Sequence, residues 1–388
     1  MKTFQKIMSY IVVAVLASLM TLAVFKDPEP SVPAGVSKLD QLEQLILDKF
    51  IGEADKTKME DAAAYAMVDS LGDRWSYYIP AAEYSSYLDQ MNNSYVGIGV
   101  TIQLQEDDSG FLVTKVNEGG PADQAGMLPG DLFVAVDGTD VRGWDTNEAS
   151  ALVKGEANTT VDITVLREGE EITLTITRML VITPVATATM LEGNIGLVTI
   201  VNFDNRCADE TIAAMKQLLN QGAEKLIFDV RFNPGGYVSE LCEVLDYILP
   251  EGDLFRSVDY QGKEQLEVSG KNCIEGVPMA VLINGESYSA AEFFAAALRE
   301  YDYAIVVGQP TTGKGYFQQT TRLVDGSAVG LSMGKYFTPK GVSLAEVGGI
   351  VPDVVVEVDE DTLMAIYAGT LDPMADPQIL AAIEALND

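Results

Sequence analysis

The chain has 388 residues, and its 25 Lys+Arg against 58 Asp+Glu give a net charge of -33, with no histidine at all. That charge argues against a nucleic-acid footprint and against attraction to anionic lipid surfaces, and the missing imidazole removes Ser-His-Asp triads, Cys-His dyads and histidine-ligated zinc. The 3 cysteines, Cys207, Cys242 and Cys273, form no C-x-x-C pair, so neither a disulfide framework nor a thiolate metal cage is signalled, and no cofactor is implied.

Residues 7–25 carry no charge and follow Lys2 and Lys6. At about 1.5 Å per helical residue this run approaches the ~30 Å hydrocarbon core of a bilayer, which predicts a signal anchor over residues 1–25. The lysines predict a cytoplasmic amino terminus, with everything after the anchor outside the cytoplasmic membrane. A cleaved secretory signal, which would release the chain, is the alternative. Residues 26–36, "KDPEPSVPAGV", suit an extended stalk.

Apolar residues recur at helical spacing in "LDQLEQLILDKF" and "MEDAAAYAMVDSLG", predicting a helical lead-in over residues 37–93. In "SYVGIGVTIQL" the residues Gly97, Ile98, Gly99 and Val100 stand where a turn becomes a strand. Glycines let consecutive amides point at one spot, and the strand can offer an edge to an incoming chain terminus, so these four are the candidate peptide-binding residues. Downstream, "GPADQAGMLPGDLFVAVDGTDV" carries a short helix, a Pro-Gly-Asp turn, an apolar strand and an Asp-Gly turn, and "TVDITVLREGEEITLTITR" reads as a β-hairpin. Residues 94–180 resemble a PDZ domain, β-rich with short helices. Lys154 reads as a solvated lysine beside its helix.

After a linker at residues 181–189 the texture becomes α/β. "NIGLVTIVNF", "KLIFDVR", "GVPMAVLING" and "YAIVVGQ" are strands separated by helical stretches, which predicts a mostly parallel sheet covered by helices. "YFQQTTRLVDGSAVGLSMGKYF" predicts an antiparallel ribbon turning at Asp325 and Gly326. Three segments fall at carboxyl ends of predicted parallel strands, where open α/β sheets place their sites: "DVRFNPGG", "NGESYSAAE" and "TTGKGYFQ". Without histidine, a nucleophilic serine needs another base, and a lysine deprived of its proton by burial or a neighbouring cation is the common substitute.

These segments resemble the carboxyl-terminal processing peptidases, or tail-specific proteases. The resemblance runs from "SLGDRWSYYIPAAEY" through "DVRFNPGG" to "TPKGVSLAEVGGIVPD" and covers nearly the whole chain. It implies a crotonase-like (ClpP/crotonase) α/β catalytic core over residues 181–388, an inserted PDZ domain and a Ser-Lys dyad. "SYSAAE" matches the family's S-A-S-A-S-E at its first two serines and its glutamate, which carries the nucleophile onto Ser289. The T-x-G-K-G-x-x-Q segment carries the base onto Lys314 and its orienting partner onto Gln318. Tyr288, Ala291 and Phe232 depart from the usual pattern, and Tyr288 bears on the shape of the specificity pocket.

With the nucleophile at a helix start, the amide of Ala290 and one from Gly235 or Gly236 would form the oxyanion hole. Lys314 must be neutral to accept the serine proton, so burial has to bring it from about 10.4 toward neutrality, at about 4 kcal/mol. A glutamine at 318 can orient the amine without adding negative charge. The resemblance therefore implies a membrane-anchored extracytoplasmic serine endopeptidase, a homo-oligomer, acting on proteins with apolar or unfolded carboxyl termini and needing no metal. A catalytically silent PDZ adaptor is the alternative, and an acyl-CoA enzyme on the same architecture a more distant one.

Overall fold

Ser37 opens the described chain with a hydroxyl that accepts from Asp40 N at 3.2 Å while the Asp40 carboxylate accepts from Ser37 N at 3.0 Å. This reciprocal cap satisfies two orphan donors and starts α1 (Lys38–Lys49). Asp55 caps α2 (Lys56–Asp69) in the same sense, accepting from Lys58 N. The structure, a computed structural model, describes residues 37–105, 107–270 and 274–387. The expected anchor, the stalk and Cys273 lie outside them, and among the described residues no helix is long and apolar enough to cross a membrane. The described residues fall into two units divided after Gly72. In the first, Lys56 of α2 pairs with Glu43 of α1.

The second unit begins with β1 (Tyr77–Ile79) and α3 (Tyr84–Met91), followed by β2 (Ser94–Gly97). Residues 77–79, expected within a helical lead-in, instead pair antiparallel with a distant strand at Ala328–Gly330. The Tyr-Tyr-Ile run ahead of Pro80 permits an extended backbone, and the pairing partners at Ala328–Gly330 select it.

Next comes a β-rich module: β3 (Val100–Leu104), β4 (Phe111–Val116), α4 (Pro121–Gln124), β5 (Leu132–Val136), β6 (Thr139–Asp140), α5 (Thr146–Val153), β7 (Thr160–Arg167) and β8 (Glu170–Thr177). Its sheet runs β3-β4-β5-β7-β8, leaving β3 at the edge. Alternate residues of β7, namely Val161, Ile163 and Val165, are buried in one core with Phe111 and Phe133. Asp137 and Gly138, both at positive φ, form the two-residue turn that the Asp-Gly pair predicts. The Pro-Gly-Asp turn ends in Asp131, 1% exposed, which takes both Nε and Nη2 of Arg167 at 2.7 Å. β9 (Met179–Ile182) pairs with β2, so the module boundary expected at residue 180 falls inside a strand.

The remaining chain forms the α/β core: β10 (Ala186–Leu191), β11 (Ile195–Ile200), α6 (Cys207–Asn220), β12 (Lys225–Asp229), α7 (Val238–Ile248), β13 (Gly252–Asp259), β14 (Glu264–Ser269), β15 (Met279–Ile283), α8 (Ala290–Glu300), β16 (Ala304–Gly308), β17 (Tyr316–Arg322), β18 (Ala328–Phe337), α9 (Leu344–Val347), β19 (Val354–Val355), α10 (Glu360–Tyr367) and, after a 3-10 turn at Pro373–Ala375, α11 (Pro377–Ala385). The main sheet runs β10-β11-β12-β15-β16-β19, parallel except for β10, which begins inside the expected linker. All five residues of β15 are buried because both faces are covered. Val281 and Ile283 face α6, α7 and α8, while Ala280 and Leu282 face α11. A second, antiparallel sheet runs β1-β18-β13-β14 with β17 paired to β18. Its β17–β18 ribbon turns at Asp325 and Gly326 as expected.

The Asp-x-Arg part of "DVRFNPGG" is structural. Arg231, with a side chain 2% exposed, donates to both oxygens of Asp229 and to Gln378 Oε1, and lies 2.8 Å from Asp376 Oδ2. This ties the end of β12 to the start of α11. Removing the cation would strand two carboxylates in a dry site. Arg231→Ala is therefore expected to lower stability by about 3–5 kcal/mol, read as the shift of the urea unfolding midpoint.

Candidate active site

The carboxyl ends of β12, β15 and β16 deliver the three glycine-bearing segments to one place. The two serines after β15 have separate duties. Ser287, fully buried, donates from Oγ to Val230 O at 2.7 Å and accepts from Asn284 N at 3.0 Å. Asn284 Oδ1 accepts from Phe232 N and Glu286 N, and Tyr288 N donates to Asn233 O. The turn is thus stitched to the segment after β12. Ser289 then sits at the N-terminus of α8 with φ 57° and ψ -126°, backbone angles that a residue with a side chain rarely adopts.

Glu292 holds that conformation. It is 0% exposed, and its Oε2 accepts from Ser289 N at 2.9 Å and from Lys314 N at 2.8 Å. Oε1 accepts from Gly313 N at 2.7 Å and Thr311 Oγ1 at 2.5 Å. Burial pushes this carboxyl up, and the four donors pull it back only in part. One carboxylate therefore fixes the serine turn against the lysine loop. The sequence reading gave Glu292 no role, although its place three residues after Ser289 is the capping-box spacing.

Of the three amides expected to bind an oxyanion, one is engaged: Gly235 N donates to Asn233 Oδ1 at 2.8 Å. The fully buried Asn233 amide competes successfully for it, its own Nδ2 being anchored on Ile200 O. Among the described residues the amides of Gly236 and Ala290 have no acceptor. Gly235 instead supplies closeness. A Cβ there would lie 2.7 Å from Ser289 Cβ and 2.9 Å from Ala290 N, and its φ is 90°.

Lys314 is half-buried in the loop after β16, and burial pushes its amine down to about 8, against the opposing charges of Glu292 and Asp73 and with help from Arg74. Desolvation outweighs the carboxylates. Among the described residues no hydrogen bond joins this amine to Ser289 or to Gln318; its neighbours are the rings of Trp75 and Tyr288. The expected pairing of Gln318 with Lys314 is not made. A register shift between Phe317 and Gln318 re-aims the glutamine, whose Nε2 donates to Tyr316 O at 3.1 Å and Ser332 Oγ at 3.2 Å. The Ser289 side chain lies within reach of the buried Tyr336 phenol, a residue that sequence reading passed over. Tyr336 and Gly236 line a cavity of about 560 Å³ walled by Val238, Phe255 and Phe317.

Gly97, Ile98, Gly99 and Val100 lie together in the β-rich module, lining a groove of about 130 Å³ between edge strand β3 and α5, with Phe133 at its base. Among the described residues the amides of Ile98 and Gly99 have no acceptor, and Gly99 has φ 78°. The exposed Lys154 also lines this groove.

Exchanging Glu292 for Gln would replace one acceptor oxygen by an N–H2 that faces backbone donors. Glu292→Gln is expected to cost about 1–3 kcal/mol, measured by urea unfolding of the full chain.

The profile of peptidase family S41 matches residues 194–356, and that of the PDZ domain matches residues 112–167. The carboxy-terminal processing protease CtpA of Bacillus subtilis (strain 168) is 32% identical over 359 residues, covering 90% of this chain and 76% of the relative. A probable CtpA-like serine protease of Staphylococcus aureus (strain N315) is 30% identical over 328 residues, covering 84% of this chain and 65% of the relative. An S41 protease structure from Bacteroides fragilis NCTC 9343 superposes with a TM-score of 0.57 at 16% identity, over 94% of this chain and 99% of that one, a likeness of fold. With its PDZ domain and its S41 peptidase core, the chain belongs to the carboxy-terminal processing serine proteases.

Proposed function

We propose that this chain is an extracytoplasmic endopeptidase in which Ser289 is the nucleophile, Lys314 the base, and the amides of Gly236 and Ala290 the oxyanion donors. The observation that carries the reading is the shared Glu292 oxygen, which fixes the backbones of Ser289 and Lys314 to one point while burial weakens the lysine's hold on its proton. Ser289 Oγ attacks the scissile carbonyl carbon as its proton passes to the Lys314 amine. The carbonyl π electrons move to oxygen, where two N–H donors and the start of α8 stabilise the charge. Collapse breaks the C–N bond, and Lys314 returns the proton to the departing amine. Water then hydrolyses the acyl-enzyme by the same route. In the resting geometry the amine rests on Trp75 and Tyr288, so the lysine stays beneath these rings when substrate binds and turns toward Ser289 only as it takes the proton, where Gln318 steadies it.

The free edge of β3 and the unengaged amides of Ile98 and Gly99 support recruitment of a protein's carboxyl terminus as an added strand. The doubly covered parallel sheet with its site at the strand ends supports a crotonase-like core, and the family resemblance supports a homo-oligomer. Ser289→Ala and Lys314→Ala are each expected to lower kcat by about 10³-fold or more on an unfolded peptide with an apolar end. Because only the neutral amine accepts a proton, the wild-type rate should rise with pH through about 8. Amidating the peptide's carboxyl end should raise KM. Undiminished cleavage by either variant would falsify the dyad.

The charge-free run of residues 7–25 after two lysines supports a membrane tether with the catalytic unit outside. Deleting residues 1–36 is expected to move the expressed chain from the membrane fraction to the soluble fraction with peptide cleavage retained; persistence in the membrane fraction would remove the tether.

A further inference from the structure

The Lys314 amine lies against two rings, and the nearer belongs to a residue far away in sequence. Its Nζ is 4.8 Å from the centre of the Trp75 ring and 5.5 Å from that of Tyr288, and the two rings stand 5.8 Å apart at 37°. Trp75 is also the seat of a second cation: the guanidinium carbon of Arg74 is 4.2 Å from its ring centre. The tryptophan backbone is held firmly. Trp75 N donates to Asp73 Oδ1 at 3.2 Å, Asp73 Oδ2 takes the Ser76 hydroxyl at 2.6 Å, and Ser76 Oγ accepts from Ser332 N of β18 at 3.1 Å.

We propose that Trp75, with Tyr288, shields the Lys314 amine from water and seats Arg74 beside it, which makes Trp75 a positioning residue for the proton transfer. The inference rests on the Ser289–Lys314 reading above. Four groups face the amine: Glu292 from α8 and Asp73 from the segment before β1 favour the ammonium, Arg74 opposes it, and the Tyr288 phenol adds no charge while its own burial keeps it protonated. Against two carboxylates, the amine needs a wall that excludes water without contributing an anion. An aromatic ring does so, although its face attracts a cation weakly. The depressed value of the lysine indicates that exclusion of water outweighs that attraction. Tyr288, where the family usually has alanine, supplies the second wall, so the departure noted in the serine motif extends this cover.

The test is the pH dependence of kcat and KM for the full chain, with an unfolded peptide ending in an apolar residue, in Trp75→Ala and Trp75→Phe, with Ser289→Ala and Lys314→Ala as controls. Trp75→Ala is expected to move the rising limb of the kcat profile up by about one unit from about 8, so that kcat at neutral pH falls about tenfold and returns at higher pH. KM should change little, and Trp75→Phe should keep the limb in place. A Trp75→Ala loss that is equal at every pH overturns the proposal, leaving the dyad intact. Activity surviving in either control overturns the dyad and the cover together. Should Trp75→Ala fail to fold, the emission of Trp75 in the Trp144→Phe chain decides. A transition near about 8 that disappears in Lys314→Met is expected, and emission flat through that range overturns the cover.

Discussion

The geometry of this protein's centre depends on one buried carboxylate. A fully buried Glu292 carboxyl group is tolerable only because four donors surround it, and those donors come from two segments that the fold must bring together. Satisfying its oxygens and aligning the site are therefore the same event. The backbone of Ser289, held at a positive φ that costs about 1–3 kcal/mol, persists because its N–H is one of the four. Gly235 closes against the same turn from the other side, where any Cβ would collide.

The second constraint is electrostatic. A chain with a net charge of -33 surrounds any lysine with groups that favour its protonated form. At Lys314 two carboxylates do so directly, yet its affinity for a proton falls, because burial is the larger effect. Distance from the acidic surface is supplied by rings. The same logic explains why Arg231, whose job is to stay charged, is enclosed by Asp229 and Asp376 within bonding distance, while among the described residues no carboxylate pairs with the Lys314 amine.

The PDZ module contributes an unpaired edge. Its main path ends in two edge strands, β3 and β8, and of these β3 has a row of backbone groups facing the groove beside α5. An exposed edge is a hazard in most proteins, and here it borders a groove with an apolar floor and two unengaged amides. The ribbon of β2 and β9 joins the two ends of the module, so the chain leaves it close to where it enters.

Local chemistry made much of this legible in advance. The Asp137-Gly138 turn, the alternation in β7, the uninterrupted apolar run of β15 and the glycine-bearing strand ends all follow from periods and turn residues that act within a few positions. Ser289 and Lys314 stood out because a chain without histidine has few routes to an activated serine, and the family resemblance sharpened them. Other features depend on long-range competition. Residues 77–79 became a strand because Ala328–Gly330 offers them partners, Gly235 lost its amide to Asn233, and a register shift turned Gln318 toward Ser332. Trp75 carries no local signal, since its meaning arises only when a lysine 239 positions later arrives beneath its ring. By itself the sequence determined most of the core strands, helices and turns and which residue types could do the chemistry, because those depend on near neighbours and composition. Which amide stays unengaged, which carboxylate binds both loops and which ring keeps water from the amine were decided only by the tertiary structure, because hydrogen bonds and burial are settled among whichever groups the fold brings into contact.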